Sequence, residues 1–525
     1  MQTESLVEYG SRRVIITITA IFCALLEIVD STIVNVALND MKGNLGATLS
    51  EVSWVITAYA IGNVIIVPMT SWLSAQFGRR NYFAASIIIF TVFSFLCGNA
   101  DGIWELVLFR FIQGLGGGAL LVTSQTIITE SYPPEKRSMA QAIYGLGVII
   151  GPTLGPPLGG YIVDHYTWPY IFYINIPIGI IATLLTLQFV RSPKYALKKA
   201  MNEIDFLGIG LLAIAVGSLQ YVLERGHEDD WFSSNTILTL TVVAVFGIFF
   251  FIWRELTTKN PIVELRVLKN GNLRVGTMLS FILGFGLYGS TFIIPLYVQS
   301  SLHWTPQQAG ALMIPAALTT AFMMPIIGKI LQKGVKQTLL VALGMVIFFM
   351  YSFWGYKVLT PDTPKDAFFW MLILRGLGMG MLFIPITSLS LSTLKGQQIG
   401  QGASFTGMMR QLGGSFGIAL ITTYMASQNV VHRANLSSHL AADNPAVQQR
   451  VSQMKMAYMA KGMTPDIALS SAYKALDFSL YTQASVMSYM DVFMFIGVMF
   501  LCCIPFVLLV KDNKKKGKID MGDMH

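Results

Sequence analysis

The chain has 525 residues, 54% of them hydrophobic and only 12% charged, with a mean hydropathy of +0.59. Soluble globular chains carry about 25% charged residues, so this composition excludes a single water-soluble domain and indicates an all-α polytopic membrane protein. The formal charge of +8 would suit an acidic partner, but the basic residues gather at the ends of apolar runs, as membrane topology demands, and no nucleic-acid partner is expected.

The N-terminus, Met1–Gly10, is short and polar, and Arg12 and Arg13 precede a run long enough to span a bilayer. No small-residue cleavage site follows, so the first span is expected to stay. Runs of roughly 20 apolar residues predict fourteen transmembrane helices. They lie near 14–38, 52–75, 82–99, 104–129, 139–163, 168–190, 204–223, 236–256, 273–299, 307–331, 337–356, 367–394, 400–426 and 485–510. With the N-terminus in the cytoplasm, most lysines and arginines fall on the cytoplasmic side. Examples are Arg79/Arg80, Lys136/Arg137, Lys194/Lys198/Lys199, Lys329/Lys333/Lys336 and the tail Lys511–Lys518. The short outer loops hold few, among them Lys42, Arg225, Lys357 and Lys365. This bias predicts that both termini are cytoplasmic and supports the span count. Cys23, Cys97, Cys502 and Cys503 all sit in apolar runs, so neither a disulfide framework nor a cysteine metal site is expected.

The chain repeats itself. "PMTSWLSAQFGRRN" (68–81) resembles "PIIGKILQKGVKQ" (325–337), and "QGLGGGALL" (113–121) resembles "RGLGMGMLF" (375–383). Six spans occupy too few residues for these offsets, so two extra spans, 204–256, are expected between the copies. The predicted organisation is 6+2+6: a six-helix bundle at 1–190, a linker with two extra helices at 191–271, and a second bundle at 272–525. The two extra helices are expected to lie outside the substrate cavity. Tandem halves with a site between them, near the bilayer midplane, mark a transporter.

Glu27 and Asp30 stand near the middle of the first span, where each carboxylate costs roughly 2.5–3.5 kcal/mol or more. Their i, i+3 spacing puts them on one helix face. Two carboxylates so close cannot both ionise cheaply, so one is suited to carry a proton. Asp30 could instead hold neighbouring helices by hydrogen bonds, and Glu27 could line a wet cavity or favour cationic substrates. Arg110, Arg375 and Arg410 lie inside spans and need partners or water. Gly147, Gly151, Gly155 and Gly159 recur at i+4, and Pro152, Pro156 and Pro157 interrupt the same span. This predicts a close-packing, hinge-like surface, and "RQLGGSFG" (410–417) is its cousin in the second half. These glycine runs lack the Lys-Ser/Thr of a phosphate loop. Among abundant Met and aromatic residues, Tyr59, Tyr288 and Met409 are candidates to line a pocket for lipophilic ligands, although ordinary packing explains such residues equally well.

These residues resemble the major facilitator superfamily, and within it the fourteen-span drug:proton antiporter branch of the EmrB/QacA type. "LEIVDSTIVNVAL" (26–38) matches the branch's first-span motif around Asp30, Asn35 and Ala37. "LVLFRFIQGLGGGALL" (106–121) matches the motif with Arg110, Gln113 and Gly114. "GPTLGPPLGG" (151–160) matches the antiporter motif, with Gly151, Pro152, Gly155 and Gly159 as its structural residues. "WPYIFYINIPIG" (168–179) matches the start of span six. The resemblance implies a proton-coupled multidrug efflux transporter of the bacterial inner membrane. It further implies Asp30, Glu27 and Arg110 in proton coupling, and Asn35, Tyr59, Gln113, Tyr288, Met409 and Arg410 at the substrate cavity. No cofactor is expected; the proton is the coupling ion. Implied partners are lipophilic small molecules, the lipid bilayer, and a periplasmic adaptor with an outer-membrane channel. One motif departs from the family: "SWLSAQFGRR" has Ser71 and Ala75 in its first two places and lacks the usual Asp, while keeping Gly78, Arg79 and Arg80.

Segment 427–484 is long, polar and outward on this topology. "AVQQRVSQMKMAYMAKG" places Val447, Val451, Met454 and Tyr458 at helical spacing, and Thr464-Pro465 reads as a cap and first turn. Two short amphipathic helices are expected, either docking a partner or covering the outer mouth. Competing functions are a carrier for one metabolite, lipid or siderophore on the same fold, and an intramembrane enzyme. Against the enzyme, His165, His227, His303, His432, His439 and His525 all fall in predicted outer loops or the tail, and no His-Glu-x-x-His spacing occurs.

Overall fold

The computed structural model describes residues 6–193, 204–441 and 443–508, and among them the regular structure is helical throughout. The first half comprises α1 (Gly10–Asn44), α2 (Leu49–Phe77), α3 (Arg79–Gly98), α4 (Ile103–Ser131), α5 (Arg137–His165), α6 (Tyr170–Tyr173) and α7 (Asn175–Phe189). A hairpin follows, α8 (Phe206–Arg225) and α9 (Asn235–Thr257). The second half comprises α10 (Gly271–Ser300), α11 (Pro306–Leu312), α12 (Ile314–Gln332), α13 (Gln337–Val358), α14 (Lys365–Leu391), α15 (Gln397–Ser438), α16 (Pro445–Ala460) and α17 (Pro465–Leu508). Lys194, Lys198, Lys199 and the Lys511–Lys518 tail lie outside the described residues.

Two predicted spans are broken. Pro177 has no N–H for the Tyr173 carbonyl, and the sixth span divides into α6 and α7 at Ile174. Pro315 does the same to the Ala311 carbonyl, separating α11 from α12 at Met313. Pro68, Pro152, Pro156 and Pro157 sit inside helices that continue through them.

Among the described residues, 13 helical segments are long and apolar enough to cross a membrane. The predicted span 400–426 is helical but lies outside that set. It belongs to α15, which packs on α10, α2, α17 and α4. Its buried positions are largely Gly, Ser, Thr and Ala, with Arg410 among them. A helix enclosed by protein on several sides needs little lipophilic surface, so its hydropathy falls without loss of its place in the bundle.

The halves have matching internal packing. α1 packs on α5, and α10 on α15. α2 packs on α4, and α12 on α14. α3 packs on α4, and α13 on α14. The hairpin α8–α9 leans on α2 and α15. Gln220 of α8 donates to Ser415 of α15 (2.8 Å) and to Glu224 (2.8 Å), and Trp253 of α9 is exposed.

On the side where α1 begins, the halves are joined. Ser138 and Ser388 share a hydroxyl hydrogen bond (3.1 Å), and Arg137 donates to the Leu394 carbonyl (3.3 Å). The halves of α4 and α14 nearest this side are buried almost all round. On the far side, α15 and α17 are 42 and 44 residues long and reach well beyond a hydrocarbon core of about 30 Å. The 427–484 segment therefore differs from expectation: α16 is a separate helix, but the second predicted amphipathic helix is the first part of α17. Thr464 and Pro465 do mark that start, with the Ala468 N–H bonded to the Thr464 carbonyl. Val451 is buried and Val447, Met454 and Tyr458 half-buried, and α16 packs on α17. The stripe is thus covered by the chain itself.

Candidate functional site between the two halves

Asp30 is wholly buried on α1, and three side chains donate to it. They are Arg110 Nη1 of α4 (2.6 Å to Oδ2), Gln113 Nε2 of α4 (3.1 Å to Oδ1) and Asn175 Nδ2 of α7 (2.7 Å to Oδ1). The donors are themselves held. Arg110 donates to the Gln113 amide oxygen (2.8 Å) and the Val55 carbonyl (3.3 Å), and its guanidinium lies 4.0 Å from the Tyr59 ring centroid. Asn175 also donates to Ser94 Oγ (3.0 Å), which donates to the Phe172 carbonyl (2.9 Å). The low dielectric that makes a lone buried charge expensive makes a closed network of this kind rigid.

Glu27, one turn earlier, has different company. Its Oε1 accepts from Asn63 Nδ2 of α2 (2.6 Å), while its buried Oε2 has no hydrogen-bond partner. The buried Tyr59 hydroxyl is also unpartnered. A Cβ on Gly117 would come within 2.6 Å of the Tyr59 hydroxyl and 3.3 Å of Glu27 Cγ. The glycines of "QGLGGG" therefore leave the room that Glu27 and Tyr59 occupy. Across the interface stand Tyr288 of α10 and Arg410 of α15, both near enough to Glu27 to interact electrostatically. Arg410 lies over Phe383 of α14 at 5.4 Å, and its buried Nη1 has no partner. Tyr144 of α5 sits beside Arg410 and donates to the Leu121 carbonyl (3.2 Å).

Exposure along α1 shows which way this region opens. Thr19, Cys23, Glu27, Ser31, Asn35 and Asn39 stack at i, i+4 spacing. The first three are buried, Ser31 is half-buried, and Asn35 and Asn39 are exposed. Val14, Ile18 and Phe22, which are also exposed, lie on another face of the helix. The Glu27 stripe thus leads from the closed side toward the far side.

The expected site residues divide accordingly. Glu27, Tyr59, Tyr288 and Arg410 cluster at the seam, and Met409 is half-buried beside Arg410. Asn35 lies two turns farther out, at the open end of the stripe. Gln113, expected at the cavity, is fully buried in the Asp30–Arg110 network instead, because its amide supplies both the donor and the acceptor that this ion pair requires. Glu27 and Asp30 share a helix face, about 60° apart, but bond to separate partners: Asn63 of α2 reaches Glu27, while donors from α4 and α7 reach Asp30.

Gly151, Gly155 and Gly159 face α1. A Cβ on them would meet Ile28, Thr32 and Ile33, respectively, so the motif is a contact surface between α1 and α5. Gly413 and Gly417 do the same for α15 against Phe281 and Phe285 of α10. Arg375 matches Gln113 by repeat position and bonds hydroxyls, Ser290 (2.9 Å) and Thr291 (2.6 Å). Arg79 pairs with Glu130, both buried, and Ser71 faces Gly400 of the other half. Asn63, Ser94, Asn175 and Tyr144 do not stand out in the sequence. Their signal is an amide, hydroxyl or phenol within an apolar run, and only its neighbours give that signal meaning.

Residues 20–418 match the family model of the Major Facilitator Superfamily. The multidrug export protein EmrB of Escherichia coli is 36% identical over 446 residues, covering 85% of this chain and 86% of that protein. The fatty acid resistance protein FarB of Neisseria gonorrhoeae is 32% identical over 503 residues, covering 96% and 97%. The crystal structure of a double-tryptophan mutant of XylE matches with a TM-score of 0.62 at 14% identity, covering 96% of this chain and 98% of that one, and so shares the fold. The paired halves, the charged seam between them and these similarities together establish that the chain belongs to the major facilitator superfamily of transporters, in the branch of the EmrB-type export proteins.

Proposed function

We propose that this chain is a multidrug efflux pump of the bacterial inner membrane, with both termini cytoplasmic. It exports lipophilic and amphipathic compounds in exchange for protons by alternating access. One observation carries the coupling: Glu27 is the last buried residue of the stripe before it opens toward the far side, with one carboxylate oxygen unbonded. Asp30 is already saturated by Arg110, Gln113 and Asn175, so the network holds the helix while Glu27 is the acid that can exchange a proton with the far side. A proton taken there and released to the cytoplasm after the halves rock would drive cargo outward. Tyr59, Tyr288, Met409 and Phe383 supply the adaptable apolar lining that mixed lipophilic cargo needs.

The names of EmrB and FarB support export of drugs and amphiphiles. FarB also favours a second reading, a carrier dedicated to one lipid-like compound. On the far side α15, α16 and α17 build a helical projection suited to a periplasmic adaptor leading to an outer-membrane channel. The test is dye efflux and a drug-susceptibility panel in a pump-deficient host, with and without an uncoupler. Uncoupler-sensitive efflux of several unrelated lipophiles supports the proposal. Transport of a single compound favours the dedicated carrier, and uncoupler-insensitive efflux rejects proton coupling.

A further inference from the structure

Two buried side chains of opposite charge, one from each half, lie near enough to interact electrostatically, and each carries an unbonded polar atom: Glu27 Oε2 on α1 and Arg410 Nη1 on α15. No ion pair joins them in this conformation, since Arg410 forms none among the described residues and Glu27 bonds Asn63. The other groups around Glu27 offer no free charge. Tyr59 and Asn63 come from α2, Tyr144 from α5 and Tyr288 from α10, all neutral. Asp30 on its own helix and Arg110 on α4 are paired with each other. That leaves Arg410 as the uncompensated cation facing Glu27, and a guanidinium does not discharge in a protein.

We propose that Arg410 is the switchable counter-charge of Glu27, a positioning residue that pairs with it across the seam when the carboxylate is ionised and no cargo lies between them. The inference rests on the proposed coupling role of Glu27. A buried charge without a partner is costly, and a direct pair satisfies both orphan atoms at once. When a proton from the far side adds to the Glu27 carboxylate, that group becomes neutral and the pair loses its attraction. When the proton leaves, the attraction returns and draws α1 and α15 together. Cationic cargo seated against Glu27 would displace Arg410 in the same way. The two halves would thus be tied or untied by the same event that loads the site, which is what exchange requires: the empty, deprotonated pump is held from cycling alone.

The experiment is a double-mutant cycle on the full chain in proteoliposomes, reading transport of a lipophilic cationic dye driven by a pH gradient. Arg410→Met keeps the stem over Phe383 and removes the charge; Arg410→Lys keeps the charge. Thermal melting of each purified variant checks folding. The proposal expects Glu27→Gln and Arg410→Met each to lower driven transport about tenfold or more, and the double variant to match Glu27→Gln within about twofold. Arg410→Lys should stay within about threefold of the parent. Losses that multiply in the double variant overturn the pairing. So does an Arg410→Met variant that transports normally, or a Lys variant as defective as Met, since packing on Phe383 would then be the role. If Glu27→Gln itself transports normally, the coupling role of Glu27 fails first, and the cycle reports that failure separately.

Discussion

Arg110 Nη1 lies 2.6 Å from Asp30 Oδ2, both side chains essentially closed to solvent, while Glu27 one turn away keeps an oxygen without a partner. Two acids on one span thereby have two jobs. Asp30 is locked into the N-terminal bundle by donors from α4 and α7, whereas Glu27 bonds Asn63 of α2 and lies within electrostatic reach of Arg410 in the other bundle.

Asp30→Asn should be damaging for structural as well as functional reasons. It leaves the Arg110 guanidinium buried without its counter-ion, a loss of about 3–5 kcal/mol in comparable buried pairs. Thermal melting in detergent should show a clear drop, with transport lost. A variant with unchanged melting and lost transport would instead assign Asp30 directly to proton exchange.

Glu27→Gln should behave differently. Its amide oxygen can still accept from Asn63, so melting should stay near that of the parent. Uphill, proton-driven efflux should fall at least about tenfold, while downhill exchange of cargo persists. The two assays, run in the same proteoliposomes, separate coupling from cargo binding.

Gly155→Val should disturb the α1–α5 contact. A Cβ at this position already collides with the Thr32 side chain and comes within 3.2 Å of the Ile33 nitrogen. Overpacking of this kind costs about 1–3 kcal/mol. The readouts are melting temperature and transport rate, with Gly210→Val inside α8, where a Cβ meets nothing within 4 Å, as the harmless comparison.

Replacing 427–484 by a short flexible linker should leave dye transport in proteoliposomes near normal and abolish resistance in cells, if the projection serves a partner. Equal loss in both assays would make it part of the pump's own gate. Val451→Asp offers a milder version: it places a charge in the buried stripe of α16 and should release that helix from α17, measurable as faster proteolysis of 440–464.

Much of the architecture was legible in the chain because lipid imposes one-dimensional rules. Apolar length gives spans, and repeated glycine- and proline-bearing strings give the matching halves. The span 400–426 of α15 was found although its small and polar residues reflect a protein environment; what the rules misplaced was the second outer helix, which is the first part of α17 with no break in the helix. Glu27, Asp30, Arg110 and Arg410 stood out because charge is rare at that depth. Their partners did not. Asn63, Asn175 and Tyr144 lie on other helices, tens of residues or more from the acids or arginines they approach, and no local spacing encodes such contacts. Residue order by itself determined that carboxylates would be buried in the first span. Which of them would be saturated and which left open was decided by tertiary structure alone, because hydrogen bonds are short, and only the packing of α2, α4 and α7 around α1 brings a donor within reach of one oxygen and leaves another without.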